Sequence, residues 1–139
     1  MAERNQQRDR FYVQRDHHQL FQRLCEKEEG PFEHLKDVFV FAASLGFHYR
    51  RRKSIEGERQ HVGFWHYLNE NRDVPLLQSI AVTETGGLEI LGDQGELILI
   101  AEEYANGGID LLDQMRSIDR DASLVNIATE VLELAAKEG

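Results

Sequence analysis

The feature that most constrains the fold is a helical segment that is apolar around nearly its whole circumference. The sequence predicts a helix from about Phe32 to Leu45, preceded by a Gly-Pro turn and ended by Gly46, with Phe47 packing back on its last turn. Its apolar positions are Leu35, Val38, Phe39, Val40, Phe41, Ala42, Ala43 and Leu45. Because such a helix has no polar face to give to water, it has to be buried, in a monomer core or across a dimer interface. We therefore expect the other elements to pack around it.

The segment before that helix has the pattern of a strand followed by a helix. Residues 10–14 are rich in aromatic and β-branched types, which favours a short strand with Phe11 and Val13 facing the core. Asp16 stands where it can cap the helix that follows. Strand, helix, turn and buried helix is the order of half a ribbon-helix-helix domain, in which two chains pair their strands and place the ribbon in the DNA major groove. The alternative is an exposed strand edge without a DNA role.

The rest of the chain alternates predicted helices with glycine breaks. Residues 48–63 are predicted to form a loop or flexible hairpin, followed by an aromatic anchor at 64–68. Further helices are predicted for Pro75 to Thr85, Asp93 to Tyr104, Ile109 to Ile118 and Ala122 to Lys137, with breaks at Gly86-Gly87 and Asn106-Gly107-Gly108. The predicted fold class is therefore mainly α: one compact domain over residues 1–139, with five to six helices and a short N-terminal strand.

Charge divides this domain into two parts. Residues 1–53 carry 11 Lys/Arg and 8 Asp/Glu, a balance of +3, while residues 54–139 carry 5 and 17, a balance of −12, which together make the net charge of −9. We interpret 1–53 as a basic strand-helix-helix part, 54–63 as a loop and 64–139 as an acidic helical part. Such segregation suggests two surfaces with different partners. The alternative is that the acidic helices only confer solubility.

The run of four cations that begins at Arg50 is the most distinctive charge feature. Neighbouring cations repel one another, and a phosphate backbone would relieve that repulsion by releasing its own counterions. Tyr49 could stack on a base or a sugar. The candidate DNA-binding residues on the strand and in this run are Arg8, Arg10, Tyr12, Tyr49, Arg50, Arg51, Arg52 and Lys53. The alternatives are a solvated loop, or a patch neutralised by the acidic half of a second copy.

We find no catalytic motif and no metal ligands at familiar spacing. The single cysteine, Cys25, is interpreted as a buried structural thiol, and carboxylate pairs such as Glu102-Glu103 as a solvated helix face. The sequence therefore predicts a protein that is not an enzyme and holds no cofactor or metal. One cysteine, no signal peptide and no apolar run of membrane-spanning length predict a cytoplasmic protein without a membrane partner.

Several runs of the sequence resemble those of a known family. The run GPFEHLKDVFVFAASLGF, with DRFYV before it and VPLLQSIAV and EEYANGGIDLL after it, is similar to the Dnd-system-associated small proteins, which are encoded beside the genes for DNA phosphorothioation. The similarity covers roughly residues 8–115. It implies a prokaryotic defence setting in which other proteins replace a phosphate oxygen by sulfur or cut DNA that lacks the mark. It implies no catalytic residue.

Two functions fit these features. The first is an accessory or regulatory DNA-binding protein, a homodimer, of a phosphorothioation-linked defence system. The second is an adaptor or inhibitor that binds another protein of that system through its acidic helices, by mimicking the charge of DNA. A basic stripe continuous across a dimer would favour the first, and an acidic array with phosphate-like spacing would favour the second.

Overall fold

The computed structural model of the protein describes residues 8–26 and 32–118. In that part of the chain four α-helices pack with a two-stranded antiparallel sheet, in the order β1 (Arg10–Gln14), α1 (His18–Arg23), α2 (Leu35–His48), β2 (Arg59–Phe64), α3 (Asp73–Thr85) and α4 (Gln94–Ile118). Short 3₁₀ turns occupy Arg15–His17, Trp65–Tyr67 and Leu88–Gly92. The fold class is mainly α, as predicted, with four helices in the described part rather than five or six.

Two predicted features lie outside the described residues. They are the Gly-Pro turn at 30–31 and the last helix, predicted for Ala122 to Lys137. Within the part of the chain that the structure describes, no helix is long and apolar enough to cross a membrane.

Helix α2 is the centre of the core, as its sequence predicts. Val38, Phe39, Ala42 and Ala43 are completely buried, and α2 packs mainly against α4. The residues of α4 predicted to face inward, Leu97, Ile98, Ile100 and Ala101, are buried as well. Helix α2 therefore lies in the core of the single chain, where α4 covers it.

Glycines at the contact between α2 and α4 let the two backbones touch. A Cβ atom on Gly108 would lie 2.8 Å from the backbone nitrogen of Gly46 and 2.9 Å from the carbonyl carbon of Ala42. A Cβ atom on Gly46 would overlap the carbonyl oxygen of Tyr104. The crossing is thus closer than any residue with a side chain would allow.

This contact corrects two predicted helix ends. We expected α2 to stop at Gly46 and α4 to break at Asn106-Gly107-Gly108, but both helices continue through these glycines. A glycine inside a helix costs about 1 kcal/mol relative to alanine, and the close packing of two buried helices outweighs that cost. Helix α2 ends instead after His48, where Arg50 takes a left-handed conformation with a φ of 58°.

The second strand was not predicted. Residues 59–64, expected to belong to a loop or flexible hairpin and to an aromatic anchor, form β2 and pair with β1, with Arg10 opposite Phe64 and Tyr12 opposite His61. An irregularity in the register between Phe11 and Tyr12 breaks the period of two that marks a strand in a sequence. The ribbon is therefore made within one chain, and not between two chains as the ribbon-helix-helix order predicts.

The ends of the other helices agree in part with the predicted ones. Gly86 ends α3 with a φ of 77°, and the side chain of Asp93 caps α4 by accepting a hydrogen bond from the backbone of Glu96 at 3.1 Å. Asp16 does not cap α1, because a 3₁₀ turn contains it and His17 takes the capping position without a side-chain bond. Pro75 is the third residue of α3, which begins at Asp73.

Replacing Gly108 by alanine should destabilise the fold. The added methyl group would meet backbone atoms of α2, which can move aside only if the two helices separate. We expect the free energy of unfolding to fall by about 1–3 kcal/mol, as measured by urea denaturation followed by circular dichroism. Gly92→Ala is the matched control, because nothing lies within 4 Å of its Cβ position. Equal losses in the two variants would contradict the packing role of Gly108.

Candidate nucleic-acid interface

Strand β1 has a buried face and an outward face. Phe11 and Val13 are buried, as predicted, so the alternate residues Arg10 and Tyr12 lie on the other side of the strand. Arg8 joins them, because the centre of its guanidinium group lies 5.5 Å from the centre of the Tyr12 ring. The structure thus brings together the three candidate residues predicted on the strand.

Strand β2 adds three side chains to this outward face. Phe64 lies opposite Arg10 and His61 lies opposite Tyr12. Arg59, opposite Gln14, begins the strand and keeps 43% of its side chain exposed. We call the set on both strands the ribbon face, which consists of Arg8, Arg10, Tyr12, Arg59, His61 and Phe64. The last three were not predicted on this face, because residues 59–64 were not predicted to form a strand.

Rings and guanidinium groups contact one another along the ribbon face. The ring of His61 lies between two other rings, with its centre 5.6 Å from that of Tyr12 and 4.8 Å from that of Phe64, each in an edge-to-face arrangement. The guanidinium group of Arg10 lies 5.5 Å from the centre of the Phe64 ring. These contacts are within the range of aromatic and cation–π attraction, so the rings and cations hold one another in place.

A buried carboxylate on α4 anchors the arginines of the ribbon face. Glu102, whose side chain is completely buried, accepts hydrogen bonds from the guanidinium group of Arg8 and from the backbone N–H of Tyr12, the latter at 2.7 Å. A terminal nitrogen of Arg59 lies 3.5 Å from the other carboxylate oxygen of Glu102. This oxygen has no hydrogen-bond partner among the described residues. Burial raises the pKa of Glu102 above its ordinary value, against the opposing attraction of Arg8 and Arg59. Glu102 is therefore an internal counter-ion and not part of a solvated face.

The unbroken helix α4 places three polar residues on one face, and each contacts a different part of the chain. Glu102, Asn106 and Asp110 are four residues apart, so their side chains align along the helix. Glu102 accepts a hydrogen bond from β1, Asn106 bonds the backbone at the end of the basic run, and Asp110 pairs with the side chain of Lys53. A helix broken at Asn106, as predicted, would not align them.

Asn106 is a buried hub of hydrogen bonds. Its side-chain nitrogen lies 3.3 Å from the carbonyl oxygen of Lys53, 3.2 Å from that of Ser54 and 3.3 Å from the side-chain oxygen of Gln14. Its side-chain oxygen lies 2.7 Å from Nδ1 of His17. Asn106 thus ties the chain that follows the basic run to the end of β1 and to α4.

Two cations of the basic run are paired with carboxylates of their own chain. Arg52 lies between two glutamates, with Nε 2.7 Å from an oxygen of Glu103 and a terminal nitrogen 3.3 Å from an oxygen of Glu84. Lys53 lies 3.3 Å from a carboxylate oxygen of Asp110, and its backbone N–H donates to the carbonyl of Glu103 at 3.0 Å. The acidic half of the same chain therefore supplies the countercharge for both.

The other three candidates of this region have different surroundings. Arg51 is half-buried, and its carbonyl carbon would lie 2.5 Å from a Cβ atom on Gly107. Tyr49 and Arg50 are exposed at the end of α2, and the Arg50 guanidinium lies 5.4 Å from the centre of the Phe47 ring. The eight predicted residues thus do not form one continuous cluster of free cations.

The pairing of Arg52 extends to a buried tyrosine. The hydroxyl of Tyr104 donates a hydrogen bond to Glu84, and the Arg52 guanidinium lies 5.9 Å from the centre of the Tyr104 ring. Burial and the neighbouring Glu84 carboxylate raise the pKa of Tyr104 to about 12. This network connects the basic run to both α3 and α4.

The described residues contain no group of three or more side chains that could hold a metal ion. Cys25 is half-buried, and burial together with the nearby charge of Asp37 raises its pKa. The thiol is therefore less prone to form the reactive thiolate than a free cysteine.

A comparison with protein families identifies the relatives of this chain. The model of the family DNA sulphur modification system-associated protein 4 matches residues 10–136. The chain belongs to this family. The resemblance to the Dnd-associated proteins is thereby confirmed, and the protein is associated with DNA sulphur modification systems. No curated protein and no solved structure matches the chain.

The ionisation of Glu102 should make this family member less stable as the pH rises above the ordinary pKa of a glutamate. Because the pKa of Glu102 is raised on folding, the folded state keeps a proton at pH values where the unfolded state has released it. The free energy of unfolding should therefore fall from the ordinary glutamate pKa of 4.5 up to the raised value. Urea denaturation across a pH series should show this slope in the wild type and lose it in Glu102→Gln. The same slope in both proteins would contradict the linkage.

Tyrosine absorbance should report the network around Tyr104. Deprotonation would place a buried phenolate beside the carboxylate of Glu84, so a step near pH 12 should appear in an alkaline titration. The step should be absent from Tyr104→Phe. Tyr67→Phe, which removes an exposed hydroxyl, should keep it. If Tyr104→Phe keeps the step as well, the step belongs to another group.

Proposed function

We propose that this protein is a non-catalytic accessory component of a DNA sulphur modification system and contacts DNA through its ribbon face. The observation that supports this proposal is the combination of three arginines with three rings on one face of the ribbon. Arginine contacts the phosphates of DNA, and aromatic rings stack on bases or sugars. A two-stranded antiparallel ribbon also has dimensions that the major groove admits.

Glu102 restrains the side chains of two of these arginines in positions where they can bind phosphate. A guanidinium group has five N–H donors, and the bonds of Arg8 to Glu102 and to the carbonyl of Arg10 use only some of them. Because Glu102 already restrains Arg8 and Arg59, less side-chain entropy is lost when they bind an anion. The carboxylate itself is completely buried, whereas the side chains of Arg8 and Arg59 are partly exposed and can be reached by a phosphate.

The basic run contributes less to this proposal than its sequence suggests. Arg52 and Lys53 already have carboxylate partners, so a phosphate would have to compete with Glu84, Glu103 and Asp110. Tyr49, Arg50 and Arg51 remain candidates for contacts with the backbone of the same DNA. The ribbon is complete within one chain, so the proposal does not depend on a homodimer.

The alternative, an adaptor that mimics DNA with its acidic helices, has less support. It requires an array of free carboxylates, whereas Glu102, Glu103 and Asp110 on α4 are each engaged with a cation of the same chain. These three carboxylates are therefore not free to imitate phosphates. We retain the adaptor as the interpretation to adopt if DNA binding fails.

Removing arginines from the ribbon face should weaken DNA binding in a salt-dependent way. We expect Arg10→Ala and Arg59→Ala each to lower the affinity for a short DNA duplex. Each should also reduce the slope of log K against log salt by about 0.9, the value for one lost phosphate contact. Fluorescence anisotropy between about 50 and 200 mM salt measures both quantities.

Arg23→Ala is the matched control, because Arg23 is exposed on α1 and lies outside the ribbon face. It should leave affinity and slope unchanged. The proposal fails if the wild type does not bind DNA at the lowest salt, or if all three variants weaken binding equally. In the first case, the search for partners should move to proteins of the modification system.

A further inference from the structure

The ribbon face continues beyond β2 into a short turn with an exposed aromatic ring. Trp65 is buried and fixes the 3₁₀ turn Trp65–Tyr67 to the core, but Tyr67 leaves 64% of its surface exposed. The centre of the Tyr67 ring lies 4.2 Å from that of His66 and 5.9 Å from that of Phe64. Tyr67 is therefore packed against other rings of the surface and not into the core.

The turn that carries these rings is held from two sides. On one side, Asp9 accepts hydrogen bonds from the backbone N–H of His66 at 3.1 Å and from its ring, while the Asp9 carbonyl accepts one from Trp65 at 2.6 Å. On the other side, Nζ of Lys36 on α2 donates to the carbonyl oxygen of Tyr67 at 2.9 Å. Because the turn is already fixed, a ligand that stacks on Tyr67 does not have to order it.

From this arrangement we propose that Phe64, His66 and Tyr67 form a stacking platform for the bases of single-stranded DNA, beside arginines that contact its phosphates. The proposal rests on the DNA contact proposed above and adds to it a preference for DNA with unpaired bases. Series of rings interleaved with cations are typical of surfaces that bind single strands. Here the rings of Tyr12, His61, Phe64 and Tyr67 follow one another, with the guanidinium group of Arg8 against Tyr12 and that of Arg10 against Phe64.

The exposure of Tyr67 favours a single strand over a duplex. In a duplex the faces of the bases are stacked on one another, and a protein reaches only their edges. In a single strand the faces are free, and a ring can stack on any base. An exposed, fixed ring therefore gains more contact from unpaired bases than from a groove.

The charge of the surroundings fits the same ligand. The ribbon and the turn after it carry three guanidinium groups, those of Arg8, Arg10 and Arg59, and two carboxylates, those of Asp9 and Glu102. Both carboxylates are occupied, Asp9 by His66 and Glu102 by arginine, and Glu102 is completely buried. The three guanidinium groups outnumber these two carboxylates, so an excess of positive charge is left for a phosphate chain.

The test compares a labelled oligothymidylate with a duplex of the same length at the same salt concentration. We expect the wild type to bind the single strand more tightly than the duplex. Tyr67→Ala should lower the affinity for the single strand at least about fivefold, the lower end of the effect of losing one base stack, with a smaller effect on the duplex. Tyr67→Phe should retain the affinity, because it keeps the ring.

Leu88→Ala is the matched control, since Leu88 is a similarly exposed large side chain outside the ribbon face, with 71% of its surface exposed. It should leave binding unchanged, and circular dichroism should show that all variants fold. If both DNA forms bind and Tyr67→Ala changes neither affinity, or lowers both equally, the platform is wrong while the DNA contact stands. If neither form binds the wild type at low salt, the platform and the proposed function fail together.

Discussion

The close contact between α2 and α4 is the constraint on which the other features depend. Gly46 and Gly108 bring the two backbones together, and α4 continues unbroken past the contact. Continuity of α4 aligns Glu102, Asn106 and Asp110 on one face, where they meet β1, the segment after the basic run, and Lys53. The packing of α2 against α4 thereby determines which parts of the chain these three polar residues contact.

The opposite charges of the two halves of the sequence meet inside one molecule. Arg52 and Lys53 from the basic half pair with Glu84, Glu103 and Asp110 from the acidic half. These half-exposed pairs add little stability one by one, because solvent and salt screen them. Their larger consequence is that Arg52 and Lys53 are already engaged, whereas Arg8 and Arg59 of the ribbon face share one buried counter-ion, Glu102.

The architecture consists of a helical scaffold and a small two-stranded ribbon. The two strands are short, and β1 is held at one edge by β2 and at the other by the bond from Tyr12 to Glu102. With both edges of β1 occupied, its outward side chains are the part of the strand that remains available to a ligand. This arrangement is what the proposed contact with DNA requires of the ribbon.

The sequence by itself determined the features that depend on neighbours within one or two turns. The burial of α2, the inward face of β1, the cap at Asp93 and the stop at Gly86 follow from periodicity and backbone chemistry. Only the tertiary structure decided whether Gly46 and Gly108 end helices or allow two helices to touch, because a glycine supports either role. It also decided the pairing of β2 and the burial of Glu102, since both depend on partners far away in the sequence.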